Sequence, residues 1–383
     1  MRLQRAGAPI FINSMSTFSD FSDALYAFHK LKAGDGTGQY HSIETLCEVA
    51  KQFFLERLTD VDEKAFGRTR LPGRTAAIKK SGFITWIVTI IDKINEIVKC
   101  EADNDLCATQ DLFDLLFDKG TGAIKYKHLV TNIPSATNFY RVREAKKYMI
   151  YDRKGLFIVS DNLERLTGAY RFNPSGYACL YLASNLYLAW EENRRPDFDT
   201  VNFSRFQNTR AVKILNIMIC REYIYQEHFL MSYLALLCCA KTTDKDKHNF
   251  QYVVPQMIMK VLCQSQRVAE KFANDTGKTL QEIDGIMYLS SRRYDQKDFL
   301  FSDKNLSYAF VFPQHPHSAN DEICPYLANL FKLTEPRTYF LYKTHRFNFY
   351  NGKAWVSNYQ ESLFYQLEEA TKKDKLGKYD EVG

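Results

Sequence analysis

Apolar residues recur at helical spacing early in the chain. Ile43, Leu46, Cys47, Ala50, Phe54 and Leu58 form one stripe, and Phe83, Trp86, Ile87, Ile90, Ile91, Ile94 and Val98 form a second. Positions three and four apart share a helix face, so each stripe predicts an amphipathic helix. Ser42 is placed to cap the first. Thr109, ahead of the run DLFDLLF, is expected to cap a third helix that stops near Gly120. Between these helices, GDGTG at 34–38 and RTRLPGRT at 68–75 are rich in residues that break regular structure. No Lys-Ser or Lys-Thr follows the glycines, so they predict a connector and not a phosphate loop.

After about residue 130 the pattern changes to short β-rich runs, at 156–160, 179–183, 212–219, 285–289 and 308–312. Helical runs at 184–193, 227–240 and 254–274 alternate with them, the last two separated by the polar stretch TTDKDKHN. Beyond Pro313 an aromatic stretch, RTYFLYKTHRFNFYNGKAWV, carries a hairpin turn signal at Asn351-Gly352. A helical run at 360–371 precedes a charged tail expected to fray. The pattern predicts a mixed α+β fold preceded by an all-α domain, divided into 1–128, 129–315 and a C-terminal extension, 316–383, packed on the second part.

With 383 residues, two modules are the natural expectation. Hydrophobic residues at 45% and charged ones at 25% exclude a disordered chain and predict a sizeable core. The 51 Lys and Arg against 45 Asp and Glu give +6 spread along the chain, which suits an anionic small ligand as well as a nucleic acid. The nine cysteines show no paired CxxC spacing, which predicts a reduced, cytoplasmic protein. Residues 1–14 lack the apolar run of a secretory signal, and the apolar stretches at 82–91 and 229–240 fall short of the roughly 18 residues of a membrane span. His315 and His317 flank Pro316 without a third ligand at suitable spacing, so no metal is expected.

The stretch TGAYRFNPSGYACLYLASNLYLAWEE, 167–192, is the most informative. It places Arg171 and Asn173 beside a Pro-Ser-Gly turn, then a short strand bearing Tyr181, then a helix with Ser184 as its expected cap and Glu191 and Glu192 at its far end. A basic group, an aromatic ring and a carboxylate thus reach adjoining element ends, where sites form.

In order and spacing this stretch resembles the RES family, whose pattern runs Gly-x-Arg-aromatic-Asn-Pro-x-Gly, strand, Tyr, then Glu. Arg171, Phe172, Asn173, Pro174, Gly176 and Tyr181 fit directly, while Gly168 sits one place further from the arginine. FYRVR at 139–143 and IDGIMYLSSRR at 283–293 fall in the family's order, with Leu289 where proline is usual and Ser290 as the family serine. Pro255 and the run NLSYAFVF from Asn305 also suit the pattern. The resemblance covers roughly 130–313. It implies an ADP-ribosyltransferase-like fold and an NAD-consuming toxin, often paired with an antitoxin.

Arg171 and Arg141 are then expected to clamp the NAD diphosphate, with Asn173 beside them and Tyr181 stacking on nicotinamide or its ribose. Eleven residues beyond Tyr181, Glu192 matches the family glutamate, which would stabilise positive charge at the anomeric carbon. Glu191 competes for that role, since adjacent helical residues point about 100° apart. Ser290 is placed to bond the nicotinamide amide, a ribose hydroxyl or the glutamate, and the three roles stay open.

NAD is expected as substrate, with no further cofactor. The acceptor is water, phosphate or a macromolecule, the last making the chain an ADP-ribosyltransferase. A scaffold that binds a partner or RNA without catalysis is the alternative of another class. Helical domains of a ribonuclease-like (HEPN-like) kind accompany RES domains, but 1–128 lacks their Arg/His pair and the Arg221–His228 spacing lies elsewhere, so nuclease activity is not expected. The aromatic and basic stretch 343–355 reads as one face of a sheet before it reads as a nucleic-acid surface. An inhibitory partner, the N-terminal domain in that role, and a homo-oligomer are all compatible with the sequence.

Overall fold

The computed structural model describes residues 17–26, 42–66, 79–102, 106–147, 149–158, 170–173, 177–220, 223, 225–239, 252–278, 282–290, 308–315, 323–338 and 362–380. In chain order the helices are α1 (Phe18–Tyr26), α2 (Ile43–Asp60), α3 (Glu63–Phe66), α4 (Lys80–Ala102), α5 (Leu106–Leu116), α6 (Arg153–Leu156), α7 (Leu186–Glu192), α8 (Gln226–Cys238), α9 (Val253–Thr276), α10 (Pro325–Leu330) and α11 (Leu363–Lys372). The strands are β1 (Val130–Ile133), β2 (Asn138–Glu144), β3 (Cys179–Ala183), β4 (Val201–Asn208), β5 (Val212–Ile217), β6 (Gly285–Tyr288), β7 (Ala309–Pro313), β8 (Phe331–Leu333) and β9 (Arg337–Thr338). The fold is mixed α+β with helices at its N-terminal end. The stretches 34–38, 68–75, 242–249 and the Asn351-Gly352 turn lie outside the described residues.

The chain forms two compact units, and they do not follow a linear division at 128 and 315. One unit joins 1–130 to 216–280, and the other joins 131–215 to 281–383. The cause is α8, in which every residue from Gln226 to Cys238 except His228 is buried. A helix apolar on all sides needs enclosure by other helices. It finds it against α2 and α4, where Phe229 meets Phe83 at 4.6 Å between ring centres and Tyr233 meets Phe54 at 5.6 Å.

Within this helical unit Ser42 caps α2 as expected, accepting the Thr45 N–H at 3.2 Å. Thr109 does not cap α5, which starts three residues earlier, and its hydroxyl donates to Glu101 at 2.9 Å. Gly122 has φ 69°, and a Cβ there would lie 2.3 Å from the Ser265 carbonyl on α9, so the turn after α5 requires glycine. Asn95, on α4, is buried and accepts the Tyr233 hydroxyl at 2.6 Å while donating to the Cys47 carbonyl.

The second unit is built on the sheet β1-β5-β6-β7-β3-β2-β4-β8, with β9 also on β4. Apolar runs form β3, β5, β6 and β7 where expected, and β3 pairs with β7 antiparallel along its whole length, from Cys179↔Pro313 to Ala183↔Ala309. The run at 156–160 is not a strand over its described part. Asp152 accepts the Gly155 N–H at 2.6 Å and turns 153–156 into α6, whose Arg153 is buried against Glu335 at 3.0 Å. Ser184 does not cap α7: Asn185 does, accepting Leu188 N–H at 2.8 Å, while Ser184 accepts the N–H of Tyr308, the residue before β7.

The charged tail is docked instead of frayed. Leu333 and Gly377 exchange backbone hydrogen bonds at 3.0 Å, Arg337 grips Asp374 with two nitrogens, and buried Arg205 on β4 donates to the carbonyls of Thr371 and Asp374 at 3.1 Å. Among the described residues no helix is long and apolar enough to cross a membrane, and no three His, Cys, Asp or Glu side chains gather as a metal would need.

Removing the Tyr233 hydroxyl leaves Asn95 Oδ1 unsatisfied in the interior, so Tyr233→Phe should cost about 1–3 kcal/mol in urea unfolding. His315 is buried against the Tyr326 ring at 3.6 Å, and burial pulls its imidazole down to about 4. The unfolded chain then binds the extra proton first. The contribution of His315 is complete above about pH 6.5 and lost as pH falls from there toward 4. His315→Gln should flatten the fall of the urea midpoint over that interval.

Candidate functional site

Pairing register sets the floor of the site. Tyr288 on β6 lies opposite Ala309 on β7, which lies opposite Ala183 on β3, and Tyr181 is two residues back on the same face. Two alanines thus lie between the two tyrosines, and the Phe172 ring packs on Tyr288 at 4.5 Å between centres.

Tyr181 is tied to the segment before β3. Its hydroxyl donates to Asn173 Oδ1 at 2.6 Å and accepts the Phe172 N–H at 3.1 Å. Asn173 is 1% exposed, so this amide orients the phenol from the interior. Arg171 is half-buried, and its positive charge acts on both Tyr181 and Tyr288. Pro174, Ser175, Gly176 and Gly168 lie outside the described residues.

On α7 the two glutamates separate. Glu191 is 2% exposed and spent within its own helix region, accepting the Tyr187 hydroxyl and, at 2.8 Å, Arg195 Nε. Glu192, about 100° further round, faces β6. Its Oε2 accepts the Tyr288 hydroxyl at 2.9 Å and its Oε1 accepts the Ser290 hydroxyl. The structure thus joins Glu192, Ser290 and Tyr288 directly, sets Tyr181 with Asn173 beside them, and places Glu191 elsewhere. Tyr288 is the residue sequence reasoning missed. Its signal was present, because residues two apart in a strand share a side and Tyr288 precedes Ser290 by two.

Arg141 sits in a seam of the sheet. Strands β2 and β4 pair over seven residues, but β2 and β3 share the single pair Tyr140↔Ala183, and beside it Arg141 Nη1 reaches over to the Tyr181 carbonyl at 3.0 Å. Its Nε is buried with no hydrogen-bond partner among the described residues. Burial, and then the positive charge of Arg143 two residues on, pulls the guanidinium down to about 10. Arg143 donates to the Gly155 carbonyl and lies over the Tyr151 ring at 5.0 Å. Two neighbouring cations of this kind suit an anion.

Burial holds the Tyr181 and Tyr288 phenols well above their ordinary range, the Glu192 charge adding to both. Both are therefore neutral hydroxyl donors at physiological pH. Because the unfolded chain gives up these protons first, their contribution to stability is complete below about pH 10 and lost as pH rises above it. Absorbance at the tyrosinate band should show these two phenols ionising only with alkaline unfolding, and Tyr288→Phe should remove one from that late step.

No protein-family model matches the chain, and no solved structure matches it. Among curated proteins the chain is similar to a Bacillus subtilis (strain 168) protein named "Putative toxin YopC", with 22% identity over a 301-position alignment that covers 72% of this chain and 64% of that protein. The chain therefore spans under two thirds of the length of that relative.

Proposed function

We propose that this chain is a RES-type enzyme that breaks the nicotinamide–ribose bond of NAD and serves as a toxin or defence effector. The observation that carries the reading is the Glu192 carboxylate, held on one oxygen by Tyr288 and on the other by Ser290, beside Tyr181 and the charge of Arg171. The name of the Bacillus subtilis relative fits the toxin role.

In the reaction the bond between the anomeric carbon and the nicotinamide nitrogen breaks, nicotinamide leaving with the electron pair as a neutral molecule. Positive charge grows on the ribose, and a fixed carboxylate stabilises it better than water, which would have to reorganise. Two hydroxyl donors fix both oxygens of Glu192, so its orientation is set before substrate arrives. Water adds its oxygen to the anomeric carbon and passes a proton to Glu192 or to solvent. Arg171 and Arg141 would take the diphosphate, and Tyr181 would carry the nicotinamide or ribose on its ring.

Nicotinamide release from NAD tests this. Glu192→Gln should lower kcat by on the order of a hundredfold or more, Ser290→Ala and Tyr288→Phe by about tenfold each, and Arg171→Ala should chiefly raise KM. Glu191→Gln should lower stability and leave kcat near that of the unmodified protein. No release by the unmodified protein would sink the reading, and label passing to a macromolecule would make the enzyme a transferase.

A further inference from the structure

We infer that Glu368, on α11, is a positioning residue for Glu192: it pins the first residue of α7 and so fixes which glutamate at the far end faces β6. The inference rests on the reading of Glu192 as the site carboxylate. Glu368 Oε1 accepts the Leu186 N–H at 2.6 Å, a contact between residues 182 apart in the chain. Both residues are buried.

A buried carboxylate is unfavourable unless hydrogen-bonded, and leucine or methionine would fill the same space without that penalty. What the acid adds is direction. Helix α7 has seven residues, too few to be stable alone, so its position is dictated by its contacts. Asn185 takes the Leu188 N–H and Glu368 takes that of Leu186, so its opening turn is held from its own cap and from α11. Phe364, one turn before Glu368, packs on Tyr187 and Trp190 at 5.1 and 5.5 Å. The acid's own helix is held by Ser362 at its start and by Arg205 at its end.

The need for a pin follows from the paired glutamates. A shift of α7 by one residue turns it by about 100° and would exchange Glu191 for Glu192 against Tyr288 and Ser290. The Leu186 N–H is a single donor at a fixed position, and a carboxylate on a neighbouring helix selects one of the two arrangements.

The test uses the full chain and nicotinamide release. Glu368→Ala should lower kcat by about tenfold or more with KM within about twofold, and Glu368→Gln should restore most of it because an amide oxygen also accepts the N–H. Where Glu368→Ala does not fold, Glu368→Asp replaces it: one methylene shorter, it should lose kcat as the alanine variant would. Activity within about twofold of the unmodified protein in the alanine or aspartate variant overturns the inference. If the unmodified protein releases no nicotinamide, the NAD reading falls and amide hydrogen exchange decides the positioning. Amides 186–192 should then exchange about tenfold faster in the alanine or aspartate variant and near normally in the glutamine variant, and unchanged exchange overturns it.

Discussion

The sheet unit depends on how a guanidinium in its interior is satisfied. Arg205 occupies the middle of β4 and is 5% exposed, and its Nε, Nη1 and Nη2 each donate at 3.1 Å, to Thr371 O, Asn138 Oδ1 and Asp374 O. The carbonyls it meets lie where α11 ends, which is where a helix leaves oxygens without partners. Two deficits, a charge removed from water and a helix end lacking donors, cancel each other. The consequence passes outward: α11 is fixed on β4, Phe364 and Glu368 are fixed with it, and α7 takes its place from them.

That arrangement explains why part of the fold was legible in the sequence and part was not. The long helices and the strands β3, β5, β6 and β7 announce themselves because their buried faces are apolar. Strand β4 pairs along the full length of β2, yet it reads VNFSRFQN and gave no signal. Its polar residues are buried too, and their partners lie far off in the chain: Ser204 donates to Thr334 O, 130 residues away, and Arg205 to Thr371 O, 166 away. Periodicity records which residues dislike water, not which polar residue meets which. The apolar run at 156–160 misled for the opposite reason, because a single aspartate ahead of it decides the local turn.

The candidate site was legible to a similar degree. Glu192, Ser290, Tyr181 and Asn173 could be named from their order along the chain, and the hydrogen bonds join them in two groups on one face. The choice between Glu191 and Glu192 was also written nearby, since Tyr187 and Arg195 each stand four residues from Glu191 and both claim it. Ser184 and Asn185 are equally good caps as residue types, and only the neighbouring strand distinguishes them. The seam between β2 and β3, with Arg141 standing in for backbone pairing, depends on where two strands part and has no one-dimensional trace.

The contact between Leu186 and Glu368 has a further consequence, for the order in which the protein is made. A ribosome adds residues from the first onward, so the helix bearing Glu192 is synthesised well before the acid that holds its beginning. Through that interval the nascent chain already contains Arg171, Tyr181 and Glu192, and from residue 290 onward Ser290 as well, but lacks the acceptor for the Leu186 N–H. On the proposed reading, a translation product cut short before residue 368 would consume NAD more slowly than the finished chain.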